Sequence, residues 1–335
     1  MNRRPQTLIL LLLAAIARAG WAGAPAACSP IDYVAASSSA PRLVIDELAG
    51  QTVTTNPALP AQHISVVNAC LALFDERTRR PLATATSGDA GRFALMKPGS
   101  GDFTLIVKAP AGRSGSLRVA LHVSEGATAD AAPRGLLLWF DPKGAENGGR
   151  AEVLADLALR RELLEMLKTD QAIRMEMIAK GAANVAPELI QRMMAIDART
   201  QVRLVQIVHQ HGWPTFDRVG LDGAGAASTM LQHLDFEIQK EFLPLVEAGW
   251  HAGEVEGSNY ALLVDRIRDH EGLPELYGGG ARIVDGSLVS NPIEDEAHVD
   301  ERRTALGLMP LAQYVQLMNR MYFPKQGATD PAKTP

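Results

Sequence analysis

The pattern of hydrophobic and polar positions divides the chain near residue 150. Before this point short apolar runs alternate with polar residues, most clearly over 117–123, and turns that contain Gly, Pro or Asp separate them. Alternation with a period of two predicts β-strands with one buried face. Strands are predicted at 43–45, 65–74, 81–86, 92–95, 102–108, 116–123 and 135–140. Short strands at this spacing, without a helical period, predict an all-β Greek-key sandwich over residues 43–140.

The second half of the chain has the period of an amphipathic helix. Leu154, Leu157, Leu164 and Leu167 follow a three-to-four spacing, and Glu and Arg lie on the other face. Further helices are predicted from Pro187 to about His211 and at 223–234, 236–250, 258–270, 295–306 and 310–322, with a small β-hairpin within 281–293 that turns at Asp285-Gly286. The predicted fold class is therefore α+β with two domains.

The N-terminus has the pattern of an export signal. Arg3 and Arg4 precede an apolar run of ten residues at 8–17, and small residues with an A-x-A cleavage pattern follow. Ten residues are too few for a helix that crosses a membrane, which needs about 20, although an uncleaved N-terminal anchor is the alternative. No other apolar run approaches 18 residues. We therefore predict a periplasmic or secreted protein without a membrane span after cleavage.

The predicted layout follows from these patterns. It comprises a signal peptide at 1–26, a lead-in at 27–42, the sandwich at 43–140, a Gly-rich linker at 141–150, a helical domain at 151–324 and a flexible tail at 325–335.

The chain has two cysteines, which excludes a disulfide scaffold and a cysteine-rich zinc module. In an oxidising compartment Cys28 and Cys70 would pair. The alternatives are two free thiols, or lipidation of Cys28, which Pro25 disfavours because a lipobox needs a large aliphatic residue at that position.

Charge excludes one class of partner. The net charge is −5, and almost all of the acidity belongs to the helical half, which carries −9 against +1 for residues 28–150. A nucleic-acid-binding protein normally presents a basic surface, so no nucleic-acid partner is expected.

The strand half resembles a known module. Residues 66–112 contain Thr86-Ser87-Gly88-Asp89-Ala90-Gly91-Arg92-Phe93 and the later run Gly101-Asp102-Phe103-Thr104-Leu105-Ile106-Val107. These turn and core motifs resemble carboxypeptidase-regulatory-like, transthyretin-like β-sandwiches. The resemblance implies a non-catalytic module that packs against, positions or binds something.

The helical half lacks the common catalytic fingerprints HExxH, GxSxG, the Walker loop and GxGxxG. Its candidate chemistry lies in scattered residues. His233 could be a general base oriented by a carboxylate, or a buried histidine beside an Asp235 that caps the next helix. Arg266, next to Asp265, could hold an anionic group, or both could be structural ion-pair partners.

Ordered motifs in this half resemble a bacterial domain family of unknown function. They are Gly212-Trp213-Pro214, Gln232-His233-x-Asp235, Asp265-Arg266, Tyr277-Gly278, Pro292-Ile293-Glu294-Asp295, Val299-Asp300-x-Arg302-Arg303 and Gly307-Leu308-x-Pro310-Leu311-x-x-Tyr314, with Asp170-Gln171 and Arg174 before them. The resemblance covers residues 160–316 and carries no established activity. It differs at Gly278-Gly279-Gly280, where the family often has Thr or Ser-Gln after the first glycine.

The resemblance and the residues together give a set of candidates. The catalytic candidates are His233, Asp265, Arg266 and Tyr277; the substrate-binding candidates are Arg302, Arg303 and Trp213; and the weak metal candidates are Glu294 and Asp295. No cofactor is expected.

Three functions remain open. The first is a binding or structural protein of the bacterial envelope, whose partner is a small molecule or an envelope protein. The second is a small hydrolase or lyase in which His233 is the base and Arg266, Arg302 or Arg303 binds an anionic substrate. The third is a metal-dependent enzyme.

Overall fold

The computed structural model describes residues 28–36, 41–56, 59–110, 114–125, 131–180, 185–284 and 287–322. The predicted signal peptide at 1–26, the predicted tail at 325–335 and the predicted turn at Asp285-Gly286 lie outside the described residues. The α+β prediction is confirmed, since strands form the N-terminal half and helices form most of the C-terminal half.

The strands of the N-terminal half form two sheets. They are β1 Leu43–Ile45, β2 Ala49–Asn56, β3 Leu59–Ser65, β4 Cys70–Asp75, β5 Pro81–Thr86, β6 Arg92–Ala94, β7 Gly101–Lys108, β8 Ser116–Val123, β9 Gly135–Phe140 and β10 Arg150–Leu154. One sheet has the order β1-β8-β7-β4-β5, and the other has the order β10-β9-β2-β3 with β6 paired to β2. The pairs β1–β8 and β2–β9 are parallel, and the other pairs are antiparallel.

A shared core lies between the two sheets. It contains alternate residues of β7 and β8 in one sheet and Leu136, Leu138 and Phe140 of β9 in the other. Every residue of β9 is buried, because the intervening Leu137 and Trp139 face a second apolar cluster on the outside of the sheet. The alternating pattern thus identifies the inner face, and the continuous run in β9 reflects a strand covered on both faces.

The lead-in residues cover the outside of the other sheet. A disulfide joins Cys28 to Cys70 of β4. Downstream of it, Ile31 and Tyr33 pack on a small cluster that contains Phe74. The lead-in is thereby fixed to the sheet at two points.

Residues 141–150, predicted to be an interdomain linker, have a different place in the fold. They connect β9 to β10, which pair as an antiparallel hairpin of one sheet. Their glycines serve a strand connection, since a Cβ at Gly149 would lie 2.1 Å from the carbonyl oxygen of Trp139. The strand region therefore extends to Leu154, and the helical region begins at Leu157.

The helical half is built around one core. Its helices in the described part of the chain are α1 Leu157–Lys180, α2 Pro187–His211, α3 Phe216–Leu231, α4 Phe236–His251, α5 Gly257–His270, α6 Val299–Ala305 and α7 Leu311–Tyr322. The short strands β11 Ala281–Val284 and β12 Ser287–Ser290 form the predicted hairpin. Helix α3 begins before the predicted residue 223 and contains a break at Gly220, whose φ is 76°. None of the described helices is both long enough and apolar enough to cross a membrane.

Buried polar contacts join the two halves. Arg160 of α1 is 6% exposed, and it binds Asp222 of α3 at 2.9 and 3.1 Å and the carbonyl oxygen of Gly50 at 3.4 Å. The side-chain oxygen of Gln51 accepts the N–H of Leu221 over 2.9 Å. Together with the outer face of β9, these contacts make the helical half a cover for the second sheet.

Candidate functional site

Asp265 of α5 holds the loop at residues 275–280. Its Oδ1 accepts hydrogen bonds from the N–H of Leu276 over 2.7 Å and of Tyr277 over 3.0 Å, and its Oδ2 accepts one from Gly279 over 2.7 Å. Burial raises the pKa of Asp265, while these N–H groups and Arg303 act in the opposite direction. Since the backbone occupies both oxygens and Asp265 does not line the cavity described below, the geometry favours a positioning role over the catalytic role predicted from sequence.

Tyr277 lies in the same loop and points towards α5. Its ring centroid lies 6.4 Å from that of Tyr260, and the hydroxyl of Tyr260 donates to Oε1 of Glu247 over 3.0 Å. Burial raises the pKa of both tyrosines. These phenols are therefore protonated at neutral pH, and they connect the loop to α4.

Arg302 and Arg303 of α6 bind backbone carbonyl groups. Arg302 donates to Leu276 over 2.8 Å and to the carbonyl oxygens of the turn before α6. Arg303 is 3% exposed and donates to Tyr277 over 2.6 Å and to Met309 over 2.7 Å. The predicted substrate-binding arginines thus fix the loop through its carbonyl groups, whereas Asp265 holds its N–H groups.

Glu294 and Asp295, the weak metal candidates, lie in the turn before α6. Glu294 forms an ion pair with Arg268. Asp295 lies 2.8 Å from Nδ1 of His298 and 3.9 Å from Arg302. Within the described residues no three His, Cys, Asp or Glu side chains converge in the way that a metal ion requires.

His233 lies in the turn between α3 and α4, and its carboxylate partner is Asp170 of α1. The distance from Nδ1 to Oδ1 of Asp170 is 3.0 Å. Asp235 instead pairs with Gln201 through its backbone N–H and its carboxylate. Burial lowers the pKa of His233, and the positive charges of Arg174 and Arg266 act in the same direction. The histidine is therefore mainly neutral at pH 7.

Trp213, a predicted substrate-binding residue, belongs to the helical core. It is 6% exposed, and its ring lies 6.3 Å from that of Phe242. Its Nε1 has no hydrogen-bond partner in the described part of the chain. The ring packs between helices and does not line the cavity described next.

Arg266 of α5 lines a cavity of about 140 Å³. The other lining residues are Leu262, Asp269, His270, Glu275, Gly280 and Asn291. Among the described residues, no hydrogen bond or ion pair satisfies the Arg266 guanidinium. Burial lowers the pKa of Arg266 to about 10, and the neighbouring Arg174 adds to this shift, whereas the negative charges of Asp269 and Glu275 oppose it. The cavity therefore contains a positive charge without a direct partner.

Glu275 lies in the wall of the same cavity and is 2% exposed. Asn291 donates to its Oε1 over 2.6 Å, and the N–H of Gly280 donates to its Oε2 over 3.0 Å. Burial and the negative charge of Asp265 raise the pKa of Glu275 to about 7, against the effect of these two donors. A carboxyl group with this pKa exchanges a proton near neutral pH.

Comparison with known proteins assigns the helical half. The model of DUF6624, a family of unknown function, matches residues 157–326. The chain belongs to this family. No curated protein and no solved structure matches the chain. The DUF6624 region begins at the first residue of α1 and contains every candidate site residue described above.

The DUF6624 domain divides these residues into two groups. Asp265, Arg302 and Arg303 fix the backbone of the loop at 275–280, to which Tyr277 belongs. Arg266 lines the cavity, together with Glu275 and Gly280 from the two ends of that loop. The charge of Arg266 acts on His233, so the His233–Asp170 pair lies nearby.

Asp170 and Glu275, which take part in this arrangement, were not among the sequence candidates. Asp170 has an identifiable signal, because it stands seven residues after Leu163 and seven before Met177 on the buried side of α1. A carboxylate within an apolar stripe requires a polar partner. Glu275 has no comparable signal, since its burial depends on contacts with Gly280 and Asn291.

The last residue of the glycine run at 278–280 must be glycine because a larger side chain would not fit there. A Cβ at Gly280 would lie 2.3 Å from Oε1 of Glu275 and 2.7 Å from Nδ2 of Asn291. At Gly279 the nearest atoms would be 3.2 Å away. Gly280 therefore allows Glu275 and Asn291 to meet in the cavity wall.

Proposed function

We propose that this protein is an exported binding protein whose DUF6624 domain holds a small anionic molecule at Arg266. The observation that carries the proposal is the guanidinium of Arg266, which lines a cavity and has no direct partner among the described residues. Arg266 is partly buried, and a cation removed from most of its water is costly unless it is paired. A ligand carboxylate or phosphate would supply the missing partner, and guanidinium binds both with paired hydrogen bonds.

The size of the cavity limits the ligand. A cavity of about 150 Å³ accommodates one benzene molecule, and the present cavity has about 140 Å³. This volume fits a short carboxylic acid or a phosphate group. Larger ligands would have to place only their anionic end beside Arg266.

The proposal includes export to the periplasm or beyond and an accessory role for the strand half. The signal-like pattern at 1–26 supports export, and the Cys28–Cys70 disulfide is of the kind that persists in oxidising compartments. The second sheet packs on the DUF6624 domain, which supports a module that holds the domain in place. N-terminal sequencing of exported protein tests the first part, and an intact Met1 in the cytoplasm would contradict it.

A second candidate is a hydrolase or lyase with His233 as general base. The observation that favours it is the 3.0 Å contact between His233 and Asp170, because a carboxylate on Nδ1 orients the ring and leaves Nε2 to accept a proton. The cavity described above is not lined by His233, so we rank this function second.

Calorimetric titration of the purified protein with formate, acetate and inorganic phosphate tests the binding function. We expect at least one of these anions to bind, and Arg266→Gln to weaken that binding about tenfold or more, since a charge-assisted pair is lost. Arg192→Gln is the matched control, because Arg192 is an exposed arginine of α2. Equal binding by all three proteins, or no binding by the unaltered protein, would contradict the proposal.

A further inference from the structure

Building on the proposed function, we propose that the anion at Arg266 is a small monocarboxylate that binds together with one proton, which it shares with Glu275. The ligand would lie between the two side chains, with one carboxylate oxygen towards the guanidinium and the other towards the carboxyl group of Glu275.

The arrangement of the cavity supports this placement. Arg266 projects from α5 and Glu275 from the following loop, and both line the same space. Their charged atoms lie more than 4 Å apart, so they form no ion pair with each other. The gap between a cation and a carboxyl group is therefore a position in which a second carboxylate can contact both.

Glu275 is held in place for such a contact. Asn291 and the N–H of Gly280 each donate to one of its oxygens, at 2.6 and 3.0 Å. The carboxyl group is thus fixed in the cavity wall before a ligand arrives. A fixed group loses little conformational entropy on binding.

The charges around Glu275 favour a monoanion over a dianion. Asp265, Asp269, His270 and Arg266 approach it from α5, and Arg302 and Arg303 of α6 bind its loop through the carbonyl groups of residues 276 and 277. A phosphate dianion would bring two negative charges against these carboxylates. A monocarboxylate brings one, and a proton between two carboxylates removes their repulsion.

The proton balance is simple. Protonated Glu275 donates its O–H to the ligand carboxylate, and no covalent bond other than this O–H is involved. The pKa of Glu275 is raised to about 7, so the group already holds the proton in mildly acidic solution. At higher pH the complex must take one proton from solvent when it forms.

Calorimetry with acetate at constant ionic strength, from pH 6 to pH 9 and in two buffers of different ionisation enthalpy, tests this inference. We expect the Kd for acetate to rise about tenfold for each pH unit above roughly 7.5, and proton uptake to approach one per ligand. Inorganic phosphate at pH 8 should bind more weakly than acetate. This measurement uses the unaltered protein, so it does not depend on the folding of a variant.

Variants identify the group that titrates. Glu275→Gln should bind acetate with a Kd that is constant over the same pH range and with no proton uptake, because the amide N–H₂ donates as the protonated acid does. His270→Gln and Asp269→Asn, which alter other groups in the cavity wall, should keep the pH dependence of the unaltered protein.

The outcomes separate the inference from the function on which it rests. If Arg266→Gln does not weaken acetate binding, the proposed function fails. If acetate binds through Arg266 with an affinity that does not change with pH, or if phosphate binds more tightly than acetate at pH 8, the proposed function stands and the inference is overturned.

Discussion

The Nδ1 atom of His233 lies 3.0 Å from Oδ1 of Asp170, which joins the turn after α3 to the middle of α1. The same carboxylate oxygen lies 2.8 Å from Arg174, so one fully buried aspartate serves two basic side chains. The pair connects elements that are 63 residues apart in the chain.

This pair predicts a pH-dependent contribution to stability. Burial lowers the pKa of His233 below its ordinary value of 6.5, so the folded chain binds fewer protons than the unfolded chain. The contribution is complete above pH 6.5 and is lost as the pH falls towards the lowered pKa. Urea unfolding from pH 7.5 to 5.5 should show a steeper loss of stability for the unaltered protein than for His233→Gln. Equal slopes would contradict the prediction.

Removal of the Asp265 carboxylate should release the loop at 275–280. Asp265→Ala leaves three N–H groups without their acceptor, and we expect a loss of about 3 kcal/mol in the free energy of unfolding. Glu165→Ala, which breaks an exposed pair with Lys168, is the control and should change stability by less than about 0.5 kcal/mol. Amide hydrogen exchange at Leu276 and Tyr277 should also become faster.

Arg266 should reduce stability in the absence of a ligand. We expect Arg266→Met to raise the free energy of unfolding by about 1 to 3 kcal/mol, because a partly buried charge without a direct partner is removed. Arg303→Met is the contrasting variant and should be destabilising, since Arg303 binds two carbonyl groups. If both variants lose stability equally, Arg266 has a structural role that its contacts do not show.

The contribution of Glu275 to the free energy of unfolding should change with pH in the direction opposite to that of His233. Its pKa rises from 4.5 to about 7 on folding, so its contribution is complete below pH 4.5 and is lost as the pH rises through 7. Glu275→Gln should therefore match the unaltered protein near pH 4.5 and exceed its stability at pH 8.5 by up to about 3 kcal/mol. A constant difference between the two proteins across this range would argue against the raised pKa.

The disulfide should contribute substantially to the stability of the strand half. Cys28 and Cys70 are 42 residues apart, and closing a loop of this length stabilises a fold by about 4 kcal/mol in the chain-entropy description. Cys28→Ser combined with Cys70→Ser should lower the free energy of unfolding by a comparable amount. Addition of dithiothreitol should have the same effect on the unaltered protein and none on the double variant.

Hydrophobic period predicted the division into strands and helices but missed strands whose residues are polar. Gln51 and Thr52 of β2 are both 0% exposed. Gln51 binds the N–H of Leu221 in the helical half, and Thr52 donates to the carbonyl oxygen of Val66. Contacts between distant segments satisfy these polar side chains, and a local pattern contains no sign of them.

The candidate site was predicted only in part, because it too depends on contacts between segments that are distant in the sequence. Arg266 was identified as an arginine that could hold an anion, and it does line a cavity. The cavity itself depends on contacts among Glu275, Asn291 and Gly280, and no pattern in the sequence indicates that these three residues meet. Two adjacent arginines such as Arg302 and Arg303 are typical of an anion-binding site. In the fold, however, their N–H groups donate to backbone carbonyl oxygens of residues 276 and 277, which are distant in the sequence.

Because β9 is covered on both faces, a truncated fragment of the chain would expose one of them. A fragment that ended after Leu154 would keep the inner residues Leu136 and Leu138 covered but would expose Leu137 and Trp139 to water, together with Val53 of β2. A contiguous apolar surface of this kind promotes self-association. The strand half is therefore expected to aggregate when it is expressed without the helical half.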